Sequence, residues 1–288
     1  MTGEWRERLG RYGIWHGVTQ VTPDLAADVE RLGYGALWIG SSPGADLTIV
    51  DEVLDATSEL VVATGIVNIW QADAHQVAAS FARIGARHPG RFLLGVGAGH
   101  REATQEYARP YDTMLSYVET LLADGVPAGS LVLAALGPKM LRLAAERTAG
   151  AHPYLVPPEY TRRARQILGA GPLLAPEHKA VIDTDPRRAR EMGRSRVRTP
   201  YLGLVNYTSN LRRLGWSDAD LADGGSDELI DALVAHGSAE QVAARLGEHL
   251  AAGADHVCVQ LLTAPGADPV GGYAALAAAL GLPSRSSA

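Results

Sequence analysis

The sequence predicts an α/β fold, namely a (β/α)8 TIM barrel with a helical insertion between strands 7 and 8. Eight short apolar runs alternate with longer helix-like segments along the whole chain. These runs lack the polar–apolar alternation of half-exposed strands, which is typical of parallel strands buried on both faces. The alternative, a doubly wound sheet, usually has fewer strands and a Gly-x-Gly-x-x-Gly turn near its start, and no such turn occurs here.

The apolar runs give the expected strands in chain order. They are 12–16, 36–39, 61–67, 92–96, 131–134, one strand within 150–155, one within 173–182, and 256–262.

Capping residues mark the starts of several expected helices. Thr22-Pro23 and Asp185-Pro186 each combine a capping side chain with proline at the first helical position, and Ser238 with Gln241 forms a capping box. Between these two last starts, 218–237 is polar and is expected to be a helical insertion. The other expected helices are 46–57, 74–87, 111–123, 139–148, 157–168 and 273–280.

Composition narrows the class of protein. The chain has 288 residues, 47% hydrophobic residues and a net charge of −6, so we expect no nucleic-acid or anionic-membrane partner. One cysteine allows no intramolecular disulfide, and no apolar run approaches the roughly 20 residues of a membrane span. The start of the chain lacks a signal-peptide core. We expect a cytoplasmic protein with a single TIM-barrel domain over 1–282 and a flexible tail over 283–288.

We looked for candidate functional residues where the strands end, because the catalytic groups of TIM barrels lie at the carboxyl ends of the strands. The fourth strand ends in three alternating glycines, which remove side chains where a flat or anionic ligand could approach. After the fifth strand, the turn 135–138 into the helix 139–148 offers free N–H groups and positive charge for a phosphate or carboxylate. The candidate residues are His16, Ser41, Asn68, Gly97, Gly99, His100, Ala135, Gly137, Pro138 and Lys139.

Structural roles compete with these functional ones. Ser41 could be an ordinary turn residue, and His16 and Asn68 could be ordinary side chains at strand ends, without a role in binding or catalysis. No metal site is expected, because the sequence has no His-Glu-x-x-His pair and no cysteine cluster. A Gly-x-Ser-x-Gly nucleophile turn is also absent, and Cys258 falls within an apolar strand, where a core role is expected.

Several of these segments resemble the luciferase-like monooxygenase superfamily, in particular its branch of oxidoreductases that depend on the deazaflavin coenzyme F420. The resemblance is carried, in one order, by 32–39, 62–70, 90–99, 133–138 and 253–260.

The resemblance implies a fold, a reaction and a set of contacts. It implies a TIM barrel that commonly forms a dimer, binds a small-molecule substrate and transfers a hydride through the deazaflavin ring. It places a cis peptide at Gly65–Ile66, in a bulge of strand three behind the ring. His100 matches the position of a proton-donating glutamate in some members, and a histidine there would titrate nearer neutrality. Ser41 stands where other members carry an acidic residue or histidine, so it is a candidate hydrogen-bond partner only.

Two other functions fit the same residues. One is an FMN-dependent luciferase-like monooxygenase on the same barrel. The other is a cofactor-binding barrel without catalysis. This alternative remains because position 41 carries serine where other members carry an acidic residue or histidine.

Overall fold

The chain folds as an α/β protein around a curled parallel sheet; the computed structural model describes residues 2–99 and 109–285. The strands are β1 Tyr12–Gly17, β2 Ala36–Gly40, β3 Val61–Gly65, β4 Val67–Asn68, β5 Phe92–Gly97, β6 Leu131–Leu133, β7 Gly150–Ala151, β8 Leu173–Leu174, β9 Glu177–Ile182, β10 Val234–Gly237 and β11 Val257–Leu261.

Helices follow most strands and cover the outside of the sheet. They are α1 Thr2–Leu9, α2 Pro23–Arg31, α3 Thr48–Asp55, α4 Ala74–Arg87, α5 Pro110–Ala123, α6 Pro138–Arg147, α7 Pro158–Leu168, α8 Pro186–Arg198, α9 Val205–Leu214, α10 Asp218–Leu221, α11 Asp227–Leu233, α12 Ala239–Ala251 and α13 Val270–Ala279.

Strand pairing gives the sheet a TIM-barrel-like course. β1 pairs in parallel with β2 on one side and with β11 on the other. Successive neighbours then pair from β2 to β8, with β4 beside β5. Only Ala175 and Pro176 separate β8 from β9, and β9 pairs with β11. The carboxyl ends of these parallel strands therefore lie on one face, as the sequence predicted.

Two apolar clusters lie on opposite faces of the sheet. Along β2, Leu37 and Ile39 pack in the large cluster shared with the helices, whereas Ala36 and Trp38 pack in a smaller cluster with Cys258. This alternation follows from the two-residue period of a strand. Cys258 is fully buried, so the expected core role is confirmed.

Local signals predicted most helix starts correctly. Thr22 accepts a hydrogen bond from the Leu25 N–H, Asp185 caps α8, and Ser238 with Gln241 forms the expected capping box. The segment 218–237, predicted as a helical insertion, contains α10 and α11 but ends in strand β10. No helix among residues 2–99 and 109–285 is long and apolar enough to cross a membrane.

Some elements differ from the prediction. The last part of the insertion is strand β10, because its backbone from Val234 to Gly237 pairs with β9 instead of continuing α11. The third strand is split at Ile66 into β3 and β4. Helix α1 was not predicted. At the other end, Arg285 donates its N–H to the Arg31 carbonyl at 2.9 Å, which holds the chain against α2 up to that residue.

Candidate active site

A cavity of about 400 Å³ opens at the carboxyl ends of the strands. Such a volume lies within the range of roughly 300–1,000 Å³ that is usual for small-molecule and cofactor sites. Residues from five strand ends and from α9 line it. Those predicted from the sequence are Ser41, Gly65, Ile66, Asn68, Gly99, Ala135 and Gly137.

The other predicted residues lie elsewhere. His16 lines a second, adjoining cavity of about 760 Å³, where burial lowers its pKa. Gly97 lies under Ile66, and Pro138 and Lys139 are exposed at the start of α6. His100 falls outside the described residues, so its predicted role stays a prediction. Ser41 lines both cavities.

Gly65 forms part of the cavity floor, and its peptide bond to Ile66 is cis, as predicted. The Trp15 Nε1–H donates to the Gly65 carbonyl at 3.2 Å. A Cβ on Gly65 would lie 2.9 Å from both Trp15 Nε1 and His152 Nε2. Real Cβ contacts are longer, so only glycine lets these two rings approach the floor so closely.

The glycines of β5 make room for the protein itself. A Cβ on Gly95 would lie 2.0 Å from the Thr64 carbonyl oxygen, and one on Gly97 would lie 2.7 Å from Ile66. On Gly99 it would meet the Asn68 amide at 2.8 Å. The described contacts show that these glycines make room for the bulged third strand. Gly99 also lines the cavity, and the predicted approach of a ligand to Gly97 and Gly99 stays a prediction.

Asn68 is held in place at the end of β4. Its Oδ1 accepts the Trp70 N–H at 3.0 Å, and the side chain is 6% exposed. Trp70 in turn donates its indole N–H to the Ala98 carbonyl at 2.7 Å. These bonds fix an amide side chain at the cavity wall.

The start of α6 faces the same cavity. Gly137 precedes Pro138 at the first helical position, and no side chain caps the helix. Uncapped N–H groups at a helix start favour an anion. Lys139 adds positive charge nearby, with its Nζ 3.7 Å from the centre of the Tyr111 ring.

An aromatic cluster that the sequence analysis missed forms another part of the cavity lining. Tyr154 packs against Trp15 and Tyr201 with ring centres 5.4 Å apart in each case, and Tyr207 lies 5.0 Å from Tyr201. The Tyr201 hydroxyl donates to Tyr154, which donates to Gln260 Oε1 at 2.8 Å. Burial raises the pKa of Tyr201 to about 12, so its hydroxyl stays protonated at neutral pH.

His152, also missed, lines the cavity as a neutral ring. Its Nδ1 lies 2.7 Å from the Ala175 carbonyl oxygen, which can only accept, so Nδ1 carries the proton. The Nε2 atom is buried without a hydrogen-bond partner. Burial lowers the pKa of His152 to about 4. This histidine is therefore an acceptor and a poor proton carrier at neutral pH.

The nearest ion pair lies beneath the aromatic cluster. Lys179 Nζ lies 3.9 Å from the centre of the Tyr154 ring and 3.0 Å from Glu177 Oε1. A signal for it existed in the sequence, since charged residues within a buried strand are rare unless paired.

Comparisons with known proteins agree with this architecture. Residues 15–124 match the family model of the luciferase-like monooxygenases, which confirms the resemblance seen in the sequence. No curated protein matches the chain.

Solved structures share the fold over nearly the whole chain. An F420-dependent secondary alcohol dehydrogenase, in complex with an F420-acetone adduct, has a TM-score of 0.71 and 17% identity, covering 94% of this chain and 98% of its own. The F420-dependent tetrahydromethanopterin reductase of Methanopyrus kandleri has a TM-score of 0.67 and 17% identity, covering 93% and 97%. The oxygenating constituent of 3,6-diketocamphane monooxygenase from Pseudomonas putida, in complex with FMN, has a TM-score of 0.64 and 14% identity, covering 96% and 97%.

Proposed function

We propose that this chain, which matches the luciferase-like monooxygenases over residues 15–124, is an F420-dependent oxidoreductase acting on a small organic substrate. The observation that carries the proposal is the gathering of the predicted cofactor contacts. Gly65 and Asn68 end the two parts of the split third strand, and Ser41 and Gly137 follow β2 and β6, yet all four line one cavity. A shared cavity is what a cofactor bound across the strand ends requires.

The described residues fit such a group. The floor at Gly65 and Ile66 carries no large polar side chain, which suits the face of a flat ring system. The Asn68 amide can meet polar atoms at a ring edge. At Gly137 the uncapped start of α6, with Lys139 close behind, suits an anionic tail.

The protein would then supply binding and proton handling. A bound deazaflavin supplies the hydride chemistry. Ser41 offers a hydroxyl to the substrate or to the ring. We assign proton donation and acceptance to His100, because the buried His152 stays neutral and is poorly suited to carrying a proton.

An FMN-dependent monooxygenase is the second candidate. A single phosphate also fits the start of α6, and one fold neighbour is named as a complex with FMN. The two candidates differ in their need for oxygen. A cofactor-binding barrel without catalysis is the third, because Ser41 gives no acidic group.

Anaerobic turnover tests the proposal. We expect the purified protein to reduce F420 with members of a panel of small alcohols, without oxygen. Oxygen-dependent oxidation with reduced FMN, and no reaction with F420, would contradict it. We also propose a homodimer, which light scattering on the purified protein tests; a monomer mass would contradict that part alone.

A further inference from the structure

One part of the cavity lining is built mainly from rings. Tyr154, Tyr201, Tyr207 and Trp15 all line the cavity, and neighbouring ring centres in this cluster lie 5.0–6.5 Å apart. We call these four residues the aromatic wall. Such rings present large apolar faces in the spacing that favours offset or edge-to-face contact with another ring.

No residue with a formal charge at neutral pH lines this cavity among the described residues. Burial raises the pKa values of the Tyr154 and Tyr207 hydroxyls well above their ordinary value, and they stay neutral. Behind the Tyr154 ring, the buried charges of Lys179 and Glu177 are paired with each other. A charged group placed against the aromatic wall would lose its hydration without gaining a partner among the described residues there, which is costly. The positive charge offered to an anionic cofactor tail lies elsewhere, at the start of α6.

Two buried acceptors face the cavity without partners. One is His152 Nε2 beside the floor, and the other is Asn206 Oδ1 on α9, next to Tyr207. Buried polar atoms in native proteins are nearly always hydrogen-bonded, so an N–H or O–H donor is expected at such positions.

We propose that the substrate is an uncharged ring compound bearing a hydroxyl group, with its ring on the aromatic wall and its hydroxyl donating to Asn206. This inference rests on the proposed function, because it assigns the substrate class of the same site. The chemistry agrees with hydride transfer: the alcohol carbon gives a hydride to the oxidised deazaflavin, the hydroxyl proton goes to the base assigned above to His100, and a carbonyl product forms. Asn206 only orients the hydroxyl, as a hydrogen-bond acceptor.

A charge series tests the inference on the unmodified protein. Benzyl alcohol, benzoate and benzylamine have similar size and differ in charge. With calorimetry in the presence and absence of F420, we expect benzyl alcohol to bind at least tenfold more tightly than either ion. Equal or tighter binding of benzoate or benzylamine would overturn the inference.

Two variants locate the binding. Tyr207→Leu should lower the affinity for benzyl alcohol about tenfold. Asn206→Leu should lower that affinity about threefold to tenfold while leaving the affinity for toluene unchanged. Tyr117→Leu is the matched control, because Tyr117 is a buried tyrosine that lines neither cavity. Unchanged benzyl alcohol affinity in both cavity variants would also overturn the inference.

The two proposals fail separately. If the charge ranking holds but F420 does not bind, the proposed function fails and the substrate class stands. If F420 binds and turns over but the ranking is reversed, only the substrate class fails.

Discussion

Lys179 Nζ lies 3.0 Å from Glu177 Oε1 inside the barrel, and the two side chains are 1% and 0% exposed. Glu177 uses its second oxygen to accept the Leu155 N–H at 2.9 Å. Burial lowers the pKa of Lys179, and the attraction of Glu177 opposes that change. The two opposite charges thus sum to zero, so the pair places no net charge in the protein interior.

Removing one partner should destabilise the protein strongly. Lys179→Met leaves the Glu177 charge unpaired, and we expect a loss of about 3–5 kcal/mol in the free energy of unfolding by urea. Adding Glu177→Gln should recover much of that loss, because no buried charge remains. In the exposed pair of Arg212 and Asp218, Arg212→Met should change stability by less than about 1 kcal/mol. A similarly small loss for Lys179→Met would contradict the account.

Acid should unfold the protein above pH 4. Burial lowers the pKa values of His152 and His256 to about 4 and that of His178 to about 3, from an ordinary value of 6.5. Below pH 6.5 the unfolded chain therefore binds more protons, and stability present above 6.5 is lost as the pH falls towards 4. Each histidine contributes about 1.4 kcal/mol per pH unit over that window. Urea unfolding followed by circular dichroism at fixed pH steps measures this loss of stability. A free energy of unfolding that stays constant down to pH 4 would contradict the expectation.

His100→Ala tests the proposed proton donor. We expect turnover to fall by a factor of about 10²–10⁴ with cofactor affinity nearly unchanged, because proton transfer is lost and binding contacts remain. His75→Ala is the control, since that ring is largely exposed on α4 and contacts Asp124. Unaltered turnover would remove His100 from the mechanism, and a parallel loss of cofactor affinity would make it a binding residue.

The fold was predictable because its signals are local. The caps at Thr22, Asp185 and Ser238 and the apolar strands can each be recognised from a few consecutive residues. Strand β10 was missed because its backbone finds a partner only when β9 lies beside it. Tertiary pairing overrode the helical pattern there.

The site was predictable only in part. Its glycines, serine and asparagine stand at strand ends and were found by position. The aromatic wall was missed because Tyr154 and Tyr201 are distant in sequence and come into contact only in the folded chain. The close approach of Gly95 to Thr64 could not be predicted, because Thr64 belongs to another strand. Contacts between residues of separate strands produce no periodic pattern in the sequence, so they cannot be predicted from it.

The central claim is the cofactor, and a spectroscopic titration of the purified protein with F420 and with FMN tests it most directly. The proposal gives the start of α6, with Lys139 close behind, to the long anionic tail of F420. We therefore expect F420 to bind at least tenfold more tightly, a difference of about 1.4 kcal/mol. Lys139→Ala should lower the affinity for F420 more than it lowers the affinity for a tail-less analogue. Equal or tighter binding of FMN would contradict the claim, and binding of neither cofactor would favour a barrel without catalysis.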